Sequence, residues 1–162
     1  MRSCIRHHVI LLALGLGVAA CTTLDICDDT GQADLVVRFK YEKGDDILDT
    51  IFSEVTVYGI REGKTDSLLL DAESASKIVL PLNPHAEVSS FYMQINELSD
   101  TIHISHNTGF YLMSYTCGYA SVFTLEADPV KHDTILFYAV DIRKAVIDAE
   151  TDQNEEHLWL YF

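Results

Sequence analysis

Positive charge is scarce in this chain of 162 residues: Lys and Arg together number 11 against 25 Asp and Glu, a formal net charge of −14. Nucleic acid and anionic lipid surfaces repel such a body, so neither is expected as a partner. With three prolines and eight glycines, no long linker, repeat or low-complexity tract divides the chain. No apolar run is long enough to cross a bilayer core, which needs about 20 residues; the stretch Val9 to Ala19 has 11. Catalytic and metal motifs are missing too. There is no C-x-x-C and no His near either late cysteine, which excludes the common zinc patterns. There is no G-x-S-x-G, and Ser74-Ala75-Ser76-Lys77 matches S-x-x-K without the partner motifs K-T-G or S-D-N, so it reads as a turn. Gly59 to Thr65, GIREGKT, is one residue short of a phosphate loop and precedes a strand-like run, which makes it a hairpin turn. Asp148, Glu150, Asp152 and Asn154 alternate like calcium ligands, but Gln153 and Trp159 stand where that loop needs Gly and Glu. No metal, cofactor or catalytic set is expected.

What is present begins at the N-terminus. MRSCIRHH carries Arg2 and Arg6 and no acid, then comes the apolar stretch, then the small residues Ala19 and Ala20 before polar sequence. This is the plan of a secretory signal over residues 1–20. Val18-Ala19-Ala20-Cys21 resembles the bacterial lipoprotein box, which implies that Cys21 is acylated (palmitate is the usual chain) and anchors the protein. Two or more acyl chains are needed for stable attachment. Residues 21–33 then form the lipidated cysteine and an acidic tether, and residues 34–162 a single domain. The expected location is the outer membrane. Asp25, Asp28 and Asp29 loosely resemble a surface-export signal, which leaves the periplasmic and surface faces both open.

Four cysteines are present. With Cys4 in the signal and Cys21 under lipid, Cys27 and Cys117 are left. In an oxidising compartment they allow one intramolecular disulfide. It would close a loop of about 90 residues, worth up to about 4–5 kcal/mol on chain-entropy grounds. Two separately buried thiols are the alternative.

From residue 35 onward the hydrophobic period is two. Phe91, Met93 and Ile95 alternate with Tyr92 and Gln94; Ile102 and Ile104 alternate with His103. Ten short runs rich in Val, Ile, Tyr, Phe and Thr are separated by turn signals such as LNPH, NELSD and HNTG. The class expected is all-β: a single antiparallel β-sandwich, immunoglobulin-like or similar. RKAVIDAETDQNEE reads as a strand end and an acidic loop, with a short helix as the lesser alternative. His103 and His106 form H-x-x-H, whose rings should diverge to opposite faces of a strand. Tyr111, Met113, Tyr115, Cys117, Tyr119 and Phe123 share one parity and are expected to line a core face, unless Thr116-Cys117-Gly118 is a bend; exposed, they would suit sugar stacking.

Asp49-Thr50-Ile51, Asp66-Ser67-Leu68, Asp100-Thr101-Ile102 and Asp133-Thr134-Ile135 repeat the pattern D-[ST]-[IL]. A turn-closing Asp followed by a strand start accounts for it. The triplets also resemble the O-glycan acceptor motif of secreted Bacteroidetes proteins, which implies modification at Thr50, Ser67, Thr101 and Thr134. With TVYGI, DSLLLD, IVLPLNP, DTIHISH, YLMSYTCGYASVFTL and HLWLYF in view, the mature chain resembles a family of small uncharacterised Bacteroidetes lipoproteins. Cys21, Cys27, Cys117 and Gly118 are the matching positions. The resemblance implies location and fold but no activity. The function expected is a non-enzymatic, lipid-anchored envelope protein that touches the membrane through its anchor and binds an envelope protein or serves structure. A glycan-binding accessory protein using exposed aromatics is the alternative, and a small hydrolase gathering His and acids from distant strands the third.

Overall fold

The computed structural model describes residues 32–61, 67–133, 136–149 and 155–162. Among them the chain is strand and connection, without helix. Two sheets pack face to face as a β-sandwich. In the first, β1 (Asp34–Lys43) is the middle strand. One edge of β1 pairs in parallel with β11 (Leu158–Tyr161), outside which lies β9 (Ala139–Ile142). Its other edge is shared in succession: β5 (Lys77–Pro81) covers residues 34–38 and β2 (Asp46–Asp49) covers residues 40–43. Phe39 is the changeover, donating its N–H to the Ser76 carbonyl at 2.9 Å and accepting the Thr50 N–H at 3.0 Å. The second sheet runs β10 (Val146–Ile147), β8 (Gly118–His132), β7 (Leu98–Ser114), β6 (Val88–Ile95), β3 (Phe52–Ile60) and β4 (Ser67–Ala75), every neighbour antiparallel.

The core is what the period of two requires. Leu35, Val37 and Phe39 of β1 and Leu158 and Leu160 of β11 face Val55, Val57, Phe91, Met93, Ile95, Ile102, Ile104 and Phe123 of the second sheet. Each such side chain contributes about 1.5–3 kcal/mol when taken from water. The chain crosses between the sheets after β2, β4, β5, β8, β9 and β10, so residues far apart in sequence hold the core together.

Four features differ from the sequence expectation. The sandwich is not wholly antiparallel, because its first and last strands lie side by side in parallel. The runs 101–106 and 110–115 are one strand, β7, and HNTG lies inside it. Of the described part of the run begun at residue 134, Ala139–Ile142 is strand. No helix follows Arg143 within the described residues; β10 does.

β7 and β8 leave the sandwich together. β6 accompanies β7 only as far as Ser105. Beyond it, His106 to Ser114 pair with β8 alone, and past Phe123, where β10 leaves β8, the two form a two-stranded ribbon. A three-residue turn closes the ribbon, followed by Gly118 at φ +78°, a conformation that suits glycine. The Ser114 hydroxyl ties the turn by accepting the Cys117 N–H at 2.9 Å and bonding the Thr116 hydroxyl at 3.0 Å.

Ala72 sits in an irregularity where β3 and β4 lose register, at φ +48°. The Thr56 hydroxyl accepts the Ala72 N–H at 3.0 Å. The left-handed conformation costs an L-residue about 1–2 kcal/mol, and glycine recovers it less its larger unfolded-state entropy. Ala72→Gly should therefore raise stability, by about 0.5 kcal/mol. A urea midpoint that falls instead would show the conformation to be unstrained.

Candidate functional site

The outward positions of the first sheet carry an unusual share of the chain's few cations. Since Leu35, Val37 and Phe39 face the core, Arg38 and Lys40 face out; since Leu158 and Leu160 face in, Trp159 and Tyr161 face out. The register sets Arg38 opposite Trp159, Lys40 opposite Tyr161 and Asp49 opposite Lys40. Lys40 Nζ lies 2.7 Å from Asp49 Oδ1 and 3.8 Å from Glu156 Oε2, and Arg38 Nε lies 2.9 Å from Glu156 Oε1. The Trp159 indole N–H donates to the same Glu156 carboxylate. The Trp159 ring has Lys40 Nζ 4.1 Å and the Arg143 guanidinium 4.0 Å from its centroid, brought from β1 and from the end of β9. Arg143 also pairs with Asp141 at 2.9 Å.

Lys40 is only 7 % exposed, and a buried ammonium is tolerated only when paired. Asp49 and Glu156 do this on one side and the indole face on the other. In return the Lys40 hydrogen bond, ahead of desolvation, holds the Asp49 carboxyl below the usual range. Three cations and three acids balance around one indole. Such a patch can offer an aromatic edge, a half-exposed guanidinium and carboxylates to a partner.

A second cluster lies between the sheets. Ser89 and His106 fall on the apolar parity of β6 and β7 and are buried. The Ser89 hydroxyl accepts the Asn83 N–H at 2.8 Å and shares a hydrogen bond with His106 Nε2 at 2.9 Å. His106 Nδ1 has Thr108 Oγ1 at 3.5 Å, and its ring meets Phe123 edge-on at 5.0 Å. Burial pushes the imidazole pKa down, against the weaker pull of Glu126. An open cleft of about 470 Å³, lined in part by Gly59, Arg61, Asn83, His85 and Phe91, reaches Ser89. The pair has the serine–base contact of a nucleophile, but no carboxylate bonds the imidazole, and both hydroxyl contacts hold the β5–β6 connection. Its visible work is to lock that connection onto β7.

His157 does similar work between strands. Its Nδ1 accepts the Val36 N–H at 3.0 Å while its own N–H donates to the Val36 carbonyl at 3.0 Å. Its carbonyl takes the Arg143 N–H at 2.8 Å. Burial, helped by Lys144, lowers the ring's pKa.

The residues singled out in the sequence do not converge. Cys21, Cys27 and Thr134 lie outside the described residues, as do the signal segment and positions 150–154 of the acidic loop. Cys117 is half-buried at the ribbon's turn, its sulfur 3.9 Å from the Thr116 hydroxyl. Thr50, Ser67 and Thr101 are half-buried on separate strands or connections. Their aspartates have different tasks: Asp49 pairs with Lys40, while Asp100 is buried and accepts the Asp133 N–H at 3.0 Å. The H-x-x-H rings diverge, His106 inward and His103 outward to the Ser90 hydroxyl at 2.8 Å. Among the described residues no three His, Cys, Asp or Glu side chains gather as a metal site.

The aromatic stripe is not a core face. Tyr115 is 98 % and Tyr119 71 % exposed, and of the six only Phe123 is in the core. The turn Tyr115 to Cys117 breaks the parity, and the ribbon runs past the end of the opposing sheet. Sequence reasoning passed over Ser89, although a polar residue in phase with Phe91 and Met93 was a signal. Trp159, Lys40 and Arg143 had none, because three separate segments bring them together.

A family model described as "Family of unknown function (DUF6452)" matches residues 54–162, more than half of the chain. The match begins in β3, although β1 and β2 complete the same sandwich. No curated protein and no solved structure gives a significant match.

Proposed function

Since the chain belongs to this family, whose function is unknown, we propose from its own residues that it is a lipid-anchored envelope protein that binds a protein partner rather than transforming a substrate. The anchor is the acylated Cys21 at the outer membrane, supported by the basic start, the apolar stretch and the Val18-Ala19-Ala20-Cys21 box. Cys27 pairs with Cys117, supported by the cysteine count, which leaves these two once Cys4 goes with the signal and Cys21 is acylated. Thr50, Ser67, Thr101 and Thr134 are the acceptor hydroxyls if glycans are attached, and the intact mass of native material reads this directly.

The observation that carries the binding reading is the outward face of the first sheet. Trp and Arg rank high in the energy of protein interfaces, and here the partly exposed Trp159 and Arg143 lie together, with Arg38 opposite Trp159, around one neutralised core. A glycan partner is the second reading, favoured by the exposure of Tyr115 and Tyr119; array binding lost on Tyr119→Ala would select it.

Cross-linking in native membranes, with the wild type beside Arg143→Ala and Trp159→Ala, tests the reading. One specific partner should be recovered, and both variants should lose it by about tenfold, the scale of a lost hot-spot contact. Arg143 is half-exposed, so its variant remains folded. Equal recovery with all three proteins removes the sheet face from the function. Cys21→Ala should leave the membrane fraction and fail to incorporate a palmitate analogue; if it still sediments with membranes, the anchor is elsewhere.

A further inference from the structure

The β7–β8 ribbon has no charged side chain and a surface of exposed aromatic and aliphatic groups. Between Asp100 and Glu126 the sequence contains no Asp, Glu, Lys or Arg, in a chain whose net charge is −14. The register places Leu112 opposite Tyr119, with Phe110 one step along the same face. Phe110, Leu112, Tyr115 and Tyr119 are all exposed. Toward the sandwich this face continues into buried His106 and Phe123; further out Phe110, Leu112 and Tyr119 are exposed.

The path of the chain indicates what covers them. β1 begins at Asp34 opposite Pro81, and the connection after Pro81 returns through Asn83 and Glu87 to bond Ser89 and His106, where the ribbon leaves the body. The chain therefore enters the sandwich at the base of the ribbon. The ribbon extends about 25 Å beyond, at 3.3 Å per residue. Cys27 lies six positions before Ala33 and Cys21 six positions before Cys27, each span at most about 20 Å. With Cys27 bonded to Cys117 at the tip, the acylated residue lies within about 30 Å of Tyr115, the disulfide and the two-residue step included.

We infer that the ribbon tip is a membrane foot: Phe110, Leu112, Tyr115 and Tyr119 seat in the headgroup region of the bilayer that holds the acyl chains. The inference rests on the proposed anchor and disulfide. Tyrosine suits this layer because its ring is apolar and its hydroxyl stays hydrated. An uncharged tip brings no ion into the interface, while the acidic body behind it stays in water. The bonds of Ser114 to Cys117 and Thr116 keep the turn in shape for contact.

The acylated full-length protein, reconstituted in phosphatidylcholine vesicles, provides the test. Tyr115→Trp is compared with Leu98→Trp, an exposed position in the β6–β7 turn at the opposite end of β7. Trp159 contributes the same background to both. Bromine-labelled acyl chains should quench Tyr115→Trp at least about twofold more than Leu98→Trp, with blue-shifted emission, as for aromatic side chains at the interface. If both variants float with the vesicles and are quenched equally, the anchor stands and the foot is refuted. If the wild type does not float, the anchor fails and the foot with it. A blue shift that appears without vesicles and grows with protein concentration would assign the ribbon to a second copy of the chain and refute the foot.

Discussion

Replacing Phe39 with alanine should lower the free energy of unfolding by about 3–5 kcal/mol, the range for deleting a fully buried aromatic ring. Phe39 is fully buried, and its ring meets Phe52 at 5.6 Å and Phe162 at 5.4 Å, both edge-on. Phe52 and Phe162 in turn lie 4.9 Å apart, and Phe137 joins them 6.2 Å from Phe162. The cavity would open where β5 gives way to β2 along β1, and neither neighbouring strand can slide in, because Ser76 and Thr50 are hydrogen-bonded to the Phe39 backbone. Urea titration should show a lower midpoint with an unchanged slope. Tyr41→Ala, on the same strand but about half exposed, is the comparison and should stay within about 0.5 kcal/mol. Comparable losses from both would mean that the ring cluster contributes nothing particular.

The second large effect is acid lability. His157 accepts a backbone N–H at Nδ1, so its protonation would set donor against donor. His106 meets a hydroxyl, which can turn to accept, so burial alone opposes its protonation. Both groups have a folded-state pKa below the ordinary histidine value, chiefly through burial. The unfolded chain therefore takes up protons first. Stability is complete above about pH 6.5 and falls as the pH drops through that value, by up to about 1.4 kcal/mol per pH unit for each ring. Urea titrations between pH 7.5 and pH 5 read the slope directly. His157→Gln keeps an acceptor but cannot titrate, so it should remove about half of the slope while weakening the protein at neutral pH. An unaltered slope in that variant would place the acid sensitivity elsewhere, in the carboxylates.

Strand positions were legible where a strand lies between one wet and one dry face, as in Phe91, Met93 and Ile95 or Ile102 and Ile104. The ribbon was not, because beyond His106 there is no opposing sheet, and alternation loses its cause. Asn107, Thr108 and Gly109 then look like a turn, yet they are mid-strand. Gly109 has its own reason to be small: a Cβ there would come within 3.1 Å of Val122 Cγ1 on the paired strand. The aromatic stripe misled in the opposite way, since parity carried across Thr116 and Cys117 joins residues that a turn separates. The cluster around Trp159 is invisible locally. It depends on residues 38, 40, 49, 143 and 156 meeting across β1, β2, β11 and the end of β9, and no spacing rule spans such distances.

The side-by-side placement of β1 and β11 sets an order of events. The inner partner of β1 lies about 120 residues further along the chain, at β11, and β9 can join that sheet only through it. Pairings between such distant segments are slow to find each other, so this layer closes late. Until β11 arrives, β2 and β5 hold one edge of β1 while the other stands open, a template that a foreign strand could fill.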